Sequence, residues 1–321
     1  MGLSLSKKSS DGGGASLKDR FGAWWNGTEL READPDFDDG DYEEVEVGDA
    51  NGDEPADDAA APAGSPDEWS EAKCEIAKGL WTPGFISPGG AEYVEALVSG
   101  CSLSSDETML EVGIGMGGNA TTIVAKFGNY VTGYENDEKL AAEAKKSAIE
   151  YDIDGKVKIV GEPFDLAKVK TNYFRAALMR EVLYTMEDKE TVVAKMCDSL
   201  KEGEAYLVIT DFLFDEGAES EELTAWKAVQ PNPVYPWTPE TLKNSLESHG
   251  VLARIMEDES ARYSEMIRGA WAGYLNDIKG KSVSEAFGNQ LVHEAQYWLL
   301  LTSALDSGDL KYYRIEGVKN S

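Results

Sequence analysis

Thr108-Met-Leu-Glu-Val-Gly-Ile-Gly-Met-Gly-Gly-Asn119 is the stretch from which the rest of the chain can be read. Thr108–Val112 is short, apolar and β-branched at its end, the pattern of a buried parallel strand. Glycines follow at once, and Ala120–Phe127 then has the character of a helix. A strand, a glycine turn and a helix in succession bring backbone N–H groups close to a ligand, because no Cβ stands in the way.

Two recognition patterns fit this turn. Gly113, Gly115 and Gly118 satisfy G-x-G-x-x-G, the dinucleotide fingerprint. Gly113, Gly115 and Gly117, preceded by Glu111, resemble motif I of the class I S-adenosylmethionine (SAM) methyltransferases. Charge separates them. A dinucleotide places a pyrophosphate here, and a carboxylate beside it is repelled. SAM presents an ammonium, a sulfonium and one carboxylate, which an acid beside glycine N–H groups complements. A second acid, Glu135, closes the next strand (Tyr130–Tyr134) 22 positions after Gly113. That is about the ~20-residue offset at which a carboxylate meets ribose hydroxyls. The competing account is a βαβ unit whose glycines serve packing alone.

Charge also limits the partners. Of 321 residues, 60 are Asp or Glu and 30 Lys or Arg, a net charge of −30. Nucleic acid is an unsuitable ligand for such a surface, since phosphates are met by Lys and Arg. A small-molecule methyl acceptor, cationic or zwitterionic, or a basic protein suits it. Cys74, Cys101 and Cys197 have no C-x-x-C spacing, which predicts free thiols in a reducing cytoplasm and no zinc site. No apolar run approaches membrane-spanning length and no signal peptide is evident, so a soluble protein is expected.

Residues 1–67 carry 18 acids against 5 bases and read as a disordered tail. Leu17–Asn26, with Trp24 and Trp25 beside Phe21, interrupts it; this is either a docking segment for a partner, a membrane surface or the protein's own fold, or else an accidental cluster or an N-terminal helix lying on the core. The first residues also match the pattern for lipidation of Gly2. From 68 the composition turns globular. Helices are expected at Glu68–Leu80, Ala91–Val98 (with Ser87 and Pro88 as its start), Asp137–Glu150, Thr191–Leu200 and Pro239–Ser248. Further strands are expected at Lys156–Val160, Ala176–Met179, Ala205–Thr210, Val251–Met256 and Lys311–Gly317. The result is an α/β, doubly wound, seven-stranded sheet with six parallel strands and a last antiparallel one. Two helices, Arg262–Ile278 and Ser284–Leu305, form an insert at about 260–305 placed to act as a lid. The Pro- and Gly-rich loop Trp81–Gly90 precedes the first strand and can fold over the ligand.

Gly84-Phe-Ile-Ser-Pro-Gly-Gly90, Leu110–Gly118, Arg180-Glu-Val-Leu-Tyr184 and Thr210-Asp-Phe212, in this order, resemble the small-molecule methyltransferases around phosphoethanolamine N-methyltransferase. The resemblance runs from about Gly79 to the C-terminus. It implies a class I methyltransferase, Rossmann-like fold and SAM as cofactor. It implies further that Ile86, Ser87, Glu111, Gly113, Gly115, Gly117, Glu135, Asn136 and Arg180 hold that cofactor. Glu162, with Asp165 as the alternative, would face the adenine amino group. The position of Glu181 carries an Asp near the substrate amine in that family. Where the family has a catalytic His, this chain has Tyr184, Thr185 and Met186, and the residues that grip a substrate phosphate are poorly matched around Asn232–Tyr235.

Methyl transfer is an in-line displacement, so the protein has to align nucleophile and sulfonium and supply a base where the nucleophile arrives protonated. No metal-ligand cluster is visible and none is required. Candidate catalytic residues are Glu181, Tyr184 and His293. Glu181 would orient an amine or simply pair with Arg180; His293 would be a base or an ordinary helix histidine. Aromatics such as Trp226, Tyr263, Trp271, Tyr297 and Trp298 would cage an alkylammonium or fill the core. Two functions follow: N-methylation of a small amine, or a catalytically degenerate SAM-binding regulatory protein whose acidic tail engages a protein partner.

Overall fold

The computed structural model describes residues 68–319, all within the unit Gly64–Ser321. The tail, its Trp24–Trp25 segment and Gly2 lie outside the described residues. A seven-stranded sheet runs in the order β3-β2-β1-β4-β5-β7-β6. Its strands are β1 (Thr108–Val112), β2 (Tyr130–Tyr134), β3 (Val157–Val160), β4 (Ala176–Arg180), β5 (Ala205–Phe214), β6 (Val251–Asp258) and β7 (Leu310–Lys319). The pairs β1–β2, β2–β3, β1–β4 and β4–β5 are parallel, and β7 lies antiparallel between β5 and β6. The expected topology is therefore observed. The strand order reverses between β1 and β4, where the carboxyl ends of an open α/β sheet leave a crevice.

The helices are α1 (Glu71–Leu80), α2 (Gly90–Val98), α3 (Gly118–Phe127), α4 (Glu138–Glu150), α5 (Lys189–Ser199), α6 (Glu221–Ala228), α7 (Pro239–Ser248), α8 (Ser260–Ile278) and α9 (Glu285–Ser307). Most begin at the short polar residues that favour such starts. Ser70, Asp137, Asp188, Ser220, Thr238 and Ser284 each accept a backbone N–H of the first turn. On one sheet face Leu110, Val112, Ala177, Met179, Leu207 and Ile209 pack under Val192, Met196, Leu242 and Leu246 of α5 and α7. The alternate residues point to the opposite face, which places Glu111 there, beside the start of α3.

Several boundaries differ from the sequence reading. α1 starts at Glu71 because Ser70 caps it, and α3 starts two residues early, directly on the glycine turn. Ser87 and Pro88 do not start α2: Gly89, at φ +106°, precedes it without a side-chain cap. Ile149 of α4 is 69% exposed. α6 was not anticipated, since Glu221–Ala228 has no apolar stripe apart from Leu223 and Trp226. β5 and β7 both run to ten residues because they pair along their full length. The three cysteines are buried and free, and no helix among the described residues is long and apolar enough to cross a membrane.

Candidate functional site

At the carboxyl ends of β1, β2 and β4 the crevice opens into a cavity of about 570 Å³, within the usual range for a small-ligand site. The glycine turn forms one wall. Gly113, Gly115 and Gly117 take φ values of +74°, +57° and +88°, a run of left-handed backbone that glycine accommodates without steric cost. Their N–H groups, however, are already engaged. Gly113 and Ile114 donate to the Tyr134 carbonyl at 2.9 and 3.0 Å, and Gly117 to that of Ile114 at 2.9 Å. Gly115 donates to Glu135 Oε2 at 2.9 Å. The turn thus offers close backbone approach rather than the expected cradle of free donors. The loop from 81 to 89 closes over it, with the Gly118 N–H donating to the Gly84 carbonyl at 2.8 Å. A Cβ on Gly118 would stand 2.6 Å from that oxygen, so the crossing admits only glycine.

The two acids beside the turn have different roles. Glu135 is 7% exposed and lines the cavity. Its Oε1 accepts from the Asp137 N–H at 3.1 Å, and its Oε2 from Gly115. Each oxygen keeps a lone pair for a ligand. Burial pushes its pKa up to about 7, against the pull of those backbone N–H groups. Glu111 is 1% exposed and is not among the lining residues. Its Oε1 accepts from Asn119 Nδ2 at 2.8 Å, and its Oε2 has no partner. Burial drives it further up, to about 8, although Asn119 and Arg180 oppose the shift. Asn119 Oδ1 in turn accepts from Arg180 at 3.0 Å, so Glu111 reaches the cavity only through this relay.

Arg180, buried at the end of β4, ties the loop to the sheet. Its guanidinium donates to the Pro88 carbonyl at 2.9 Å and reaches Ser87 Oγ at 3.5 Å, which is where Ser87 acts instead of capping a helix. It lies over the Tyr93 ring at 5.3 Å, and its Nε has no partner. Glu181 follows, held at φ +58°. It accepts from the Tyr312 hydroxyl at 2.8 Å and stands 3.4 Å from Arg180. Glu181 thus pairs with Arg180 and also lines the cavity.

Asp211, fully buried beneath this turn, fixes its shape. Its carboxylate accepts the N–H groups of Val182 at 3.0 Å, Leu183 at 2.7 Å, Tyr184 at 3.1 Å and Phe212 at 2.8 Å. Burial raises its pKa to about 7, while Lys189, which donates to the Leu183 carbonyl, pulls it down. In the sequence Asp211 stood only within the Thr210-Asp-Phe212 motif, with no role of its own. Its one signal was an acid immediately after an apolar strand. Tyr312 had none, lying 131 positions from Glu181.

Of the other candidates, Ile86, Ser87, Asn136, Tyr184 and His293 line the cavity, and Gly117 is not among its lining residues. Tyr184 packs on Phe212 and Trp226 (ring centroids 5.2 and 5.9 Å apart). Burial raises its phenol well above the ordinary range, so it stays protonated at neutral pH. His293 is exposed at the cavity edge. Glu162 and Asp165 are exposed on the turn after β3 and are not among the lining residues. The lid insert contributes Tyr263, Tyr297 and Trp298 to the cavity wall, whereas Trp226 and Trp271 are wholly buried in the core. Among the described residues no cluster of His, Cys, Asp and Glu could hold a metal ion.

A family model described as a methyltransferase domain matches residues 110–208. Phosphoethanolamine N-methyltransferase 1 of Zea mays is 28% identical over 150 residues, 46% of this chain and 29% of that protein. Phosphoethanolamine N-methyltransferase 2 of Caenorhabditis elegans is 27% identical over 145 residues, 45% of this chain and 33% of that protein. The matched segments thus span about a third of these relatives' lengths. Among solved structures, phosphoethanolamine N-methyltransferase 2 of Haemonchus contortus in complex with SAM superposes with a TM-score of 0.70 at 19% identity, covering 79% of this chain and 59% of that one. At that identity the likeness is one of fold.

Proposed function

We propose that this chain, whose residues 110–208 match a methyltransferase-domain model, is an enzyme that moves a methyl group from SAM to the nitrogen of a small amine. The observation that carries this reading is the placing of Glu135, Arg180 and Glu181 on one cavity, at the ends of β2 and β4. The residues suit the cofactor. The free lone pairs of Glu135 match ribose hydroxyls, and the partnerless Nε of Arg180 marks a buried cation that the amino-acid carboxylate would satisfy. Ile86 packs directly on the glycine turn, where a Cβ on Gly115 would stand 3.1 Å from Ile86 Cδ1, so the two form one continuous wall.

When bound, SAM supplies an activated methyl group and an excellent leaving group. The chain contributes position and charge. Glu181 accepts a hydrogen bond from the amine and offsets the positive charge that N-methylation leaves on nitrogen. Tyr312 and Arg180 fix the Glu181 side chain, and Asp211 fixes the backbone that carries it. Tyr184 remains a neutral phenol and acts as a donor rather than a base. His293, exposed at the rim, accepts the proton that the ammonium must lose before or during transfer. Tyr263, Phe212 and Tyr184 keep water from the reacting nitrogen.

The test is turnover of SAM over a panel of small amines, with wild type and Glu181→Gln side by side. The expected result is a kcat lower by about 100-fold or more in the variant, in the range of lost electrostatic stabilisation, with SAM affinity unchanged. Full turnover by Glu181→Gln on the best acceptor would remove this residue from catalysis. SAM binding without turnover on any acceptor would favour the regulatory alternative.

A further inference from the structure

The acceptor side of the cavity carries more acid than its proposed chemistry needs. Once Glu135 and Arg180 are assigned to the cofactor, the charged lining residues that remain are Glu68, Glu181, Glu294, Lys73 and the exposed His293. Lys73 is the one lysine among the described lining residues, and it is engaged: its ammonium lies 4.4 Å from the Trp69 ring centroid and 3.9 Å from Glu294. Glu294 is 8% exposed and also accepts from Gln290 at 3.0 Å. Glu68 accepts from Asn232 at 3.2 Å. A phosphate monoester here would bring about two negative charges at neutral pH and face three carboxylates with a single, already paired, lysine. Like charges within a cavity repel strongly, because field lines concentrate there.

The same wall is well suited to a cation. Tyr184, Phe212 and Tyr263 present aromatic rings around Glu181, and such rings attract alkylammonium groups through their faces. Gln230, Asn232 and Gln290 toward the lid offer amides, which hydrogen-bond a neutral polar tail without demanding charge.

We propose that the methyl acceptor is an unphosphorylated amine with a neutral or cationic tail, in contrast to the phosphorylated amine named for the relatives. This rests on the SAM-dependent reading above. The experiment separates the two. The full chain is first saturated with S-adenosylhomocysteine, monitored by calorimetry; absence of that binding defeats the SAM reading itself. The saturated protein is then titrated with choline and with phosphocholine, which share a trimethylammonium head and differ in the phosphate. The expected result is choline binding at least tenfold tighter than phosphocholine, with choline binding lost in Glu181→Gln. Glu68→Lys, which lies on a partly exposed turn, is expected to improve phosphocholine binding selectively. Equal or tighter phosphocholine binding in the wild type, or no binding of either probe to the saturated protein, overturns the proposal.

Discussion

Replacing Glu135 with Gln tests the cofactor site where its geometry is best defined. The Glu135 carboxylate is held by the Gly115 and Asp137 N–H groups at 2.9 and 3.1 Å, so it is preorganised before ligand arrives. Glutamine keeps one acceptor oxygen and turns an NH2 toward a backbone donor. Hydrogen bonds to a charged group contribute about 1.5–3 kcal/mol each. Losing one of them, with weakening of the second, should cost about 2–3 kcal/mol of SAM binding, or roughly 30- to 150-fold in Kd. Isothermal titration with SAM measures this, with Tm as the control for folding. The pH profile gives a second reading. Burial lifts the Glu135 pKa to about 7, and ribose hydroxyls donate to its ionised form. Wild-type affinity should therefore rise as pH increases through 7 and level off above it. Below 7 the slope approaches tenfold per pH unit. Glu111 titrates nearby but is unchanged in the variant, so the loss of slope isolates Glu135. Unchanged affinity together with an unchanged pH profile in Glu135→Gln would refute the ribose assignment.

Three further substitutions probe the supports of the site. Glu111→Gln should stabilise the protein at alkaline pH: burial raises the folded pKa to about 8, so stability present below the unfolded value near 4.5 is lost as pH rises through 8. Its Tm should exceed wild type by several degrees at pH 8.5, with the difference vanishing near pH 4 in a scanning calorimeter. Asp211→Asn removes the charge that four backbone N–H groups share and that faces the Lys189 ammonium; a loss of about 1–3 kcal/mol is expected in urea unfolding. Gly118→Ala drives a Cβ against the Gly84 carbonyl. It should cost about 1–3 kcal/mol of stability and weaken S-adenosylhomocysteine binding by displacing the loop at Ile86.

Much of the architecture was legible because the strands of a buried parallel sheet are short apolar runs punctuated by glycine and caps. β1, β2 and the helix Pro239–Ser248 were read to the residue. The lid was visible because two helices stood where a short connection would do. The site was legible as far as sequence neighbours define it: the glycine turn, Glu135, and the Arg180–Glu181 pair. What escaped was long-range. The Tyr312 bond to Glu181 depends on β7 pairing antiparallel with β5, and Asp211 acts on a turn 28 positions upstream. Gly113 and Gly115 were expected to offer free N–H groups, but local periodicity does not reveal that Tyr134 and Glu135 consume them. Glu111 looked like a ligand-facing acid because strand alternation gives a face but not a depth.

The most direct check is a paired titration of the full chain with S-adenosylhomocysteine and with NAD+ at neutral pH. One equivalent of the thioether nucleoside should bind with a Kd within about 1 μM–1 mM, the usual span for enzyme substrates, and NAD+ should give no heat at millimolar concentration. Saturable binding of NAD+ with silence from S-adenosylhomocysteine would leave the α/β sheet standing and remove the methyltransferase reading altogether.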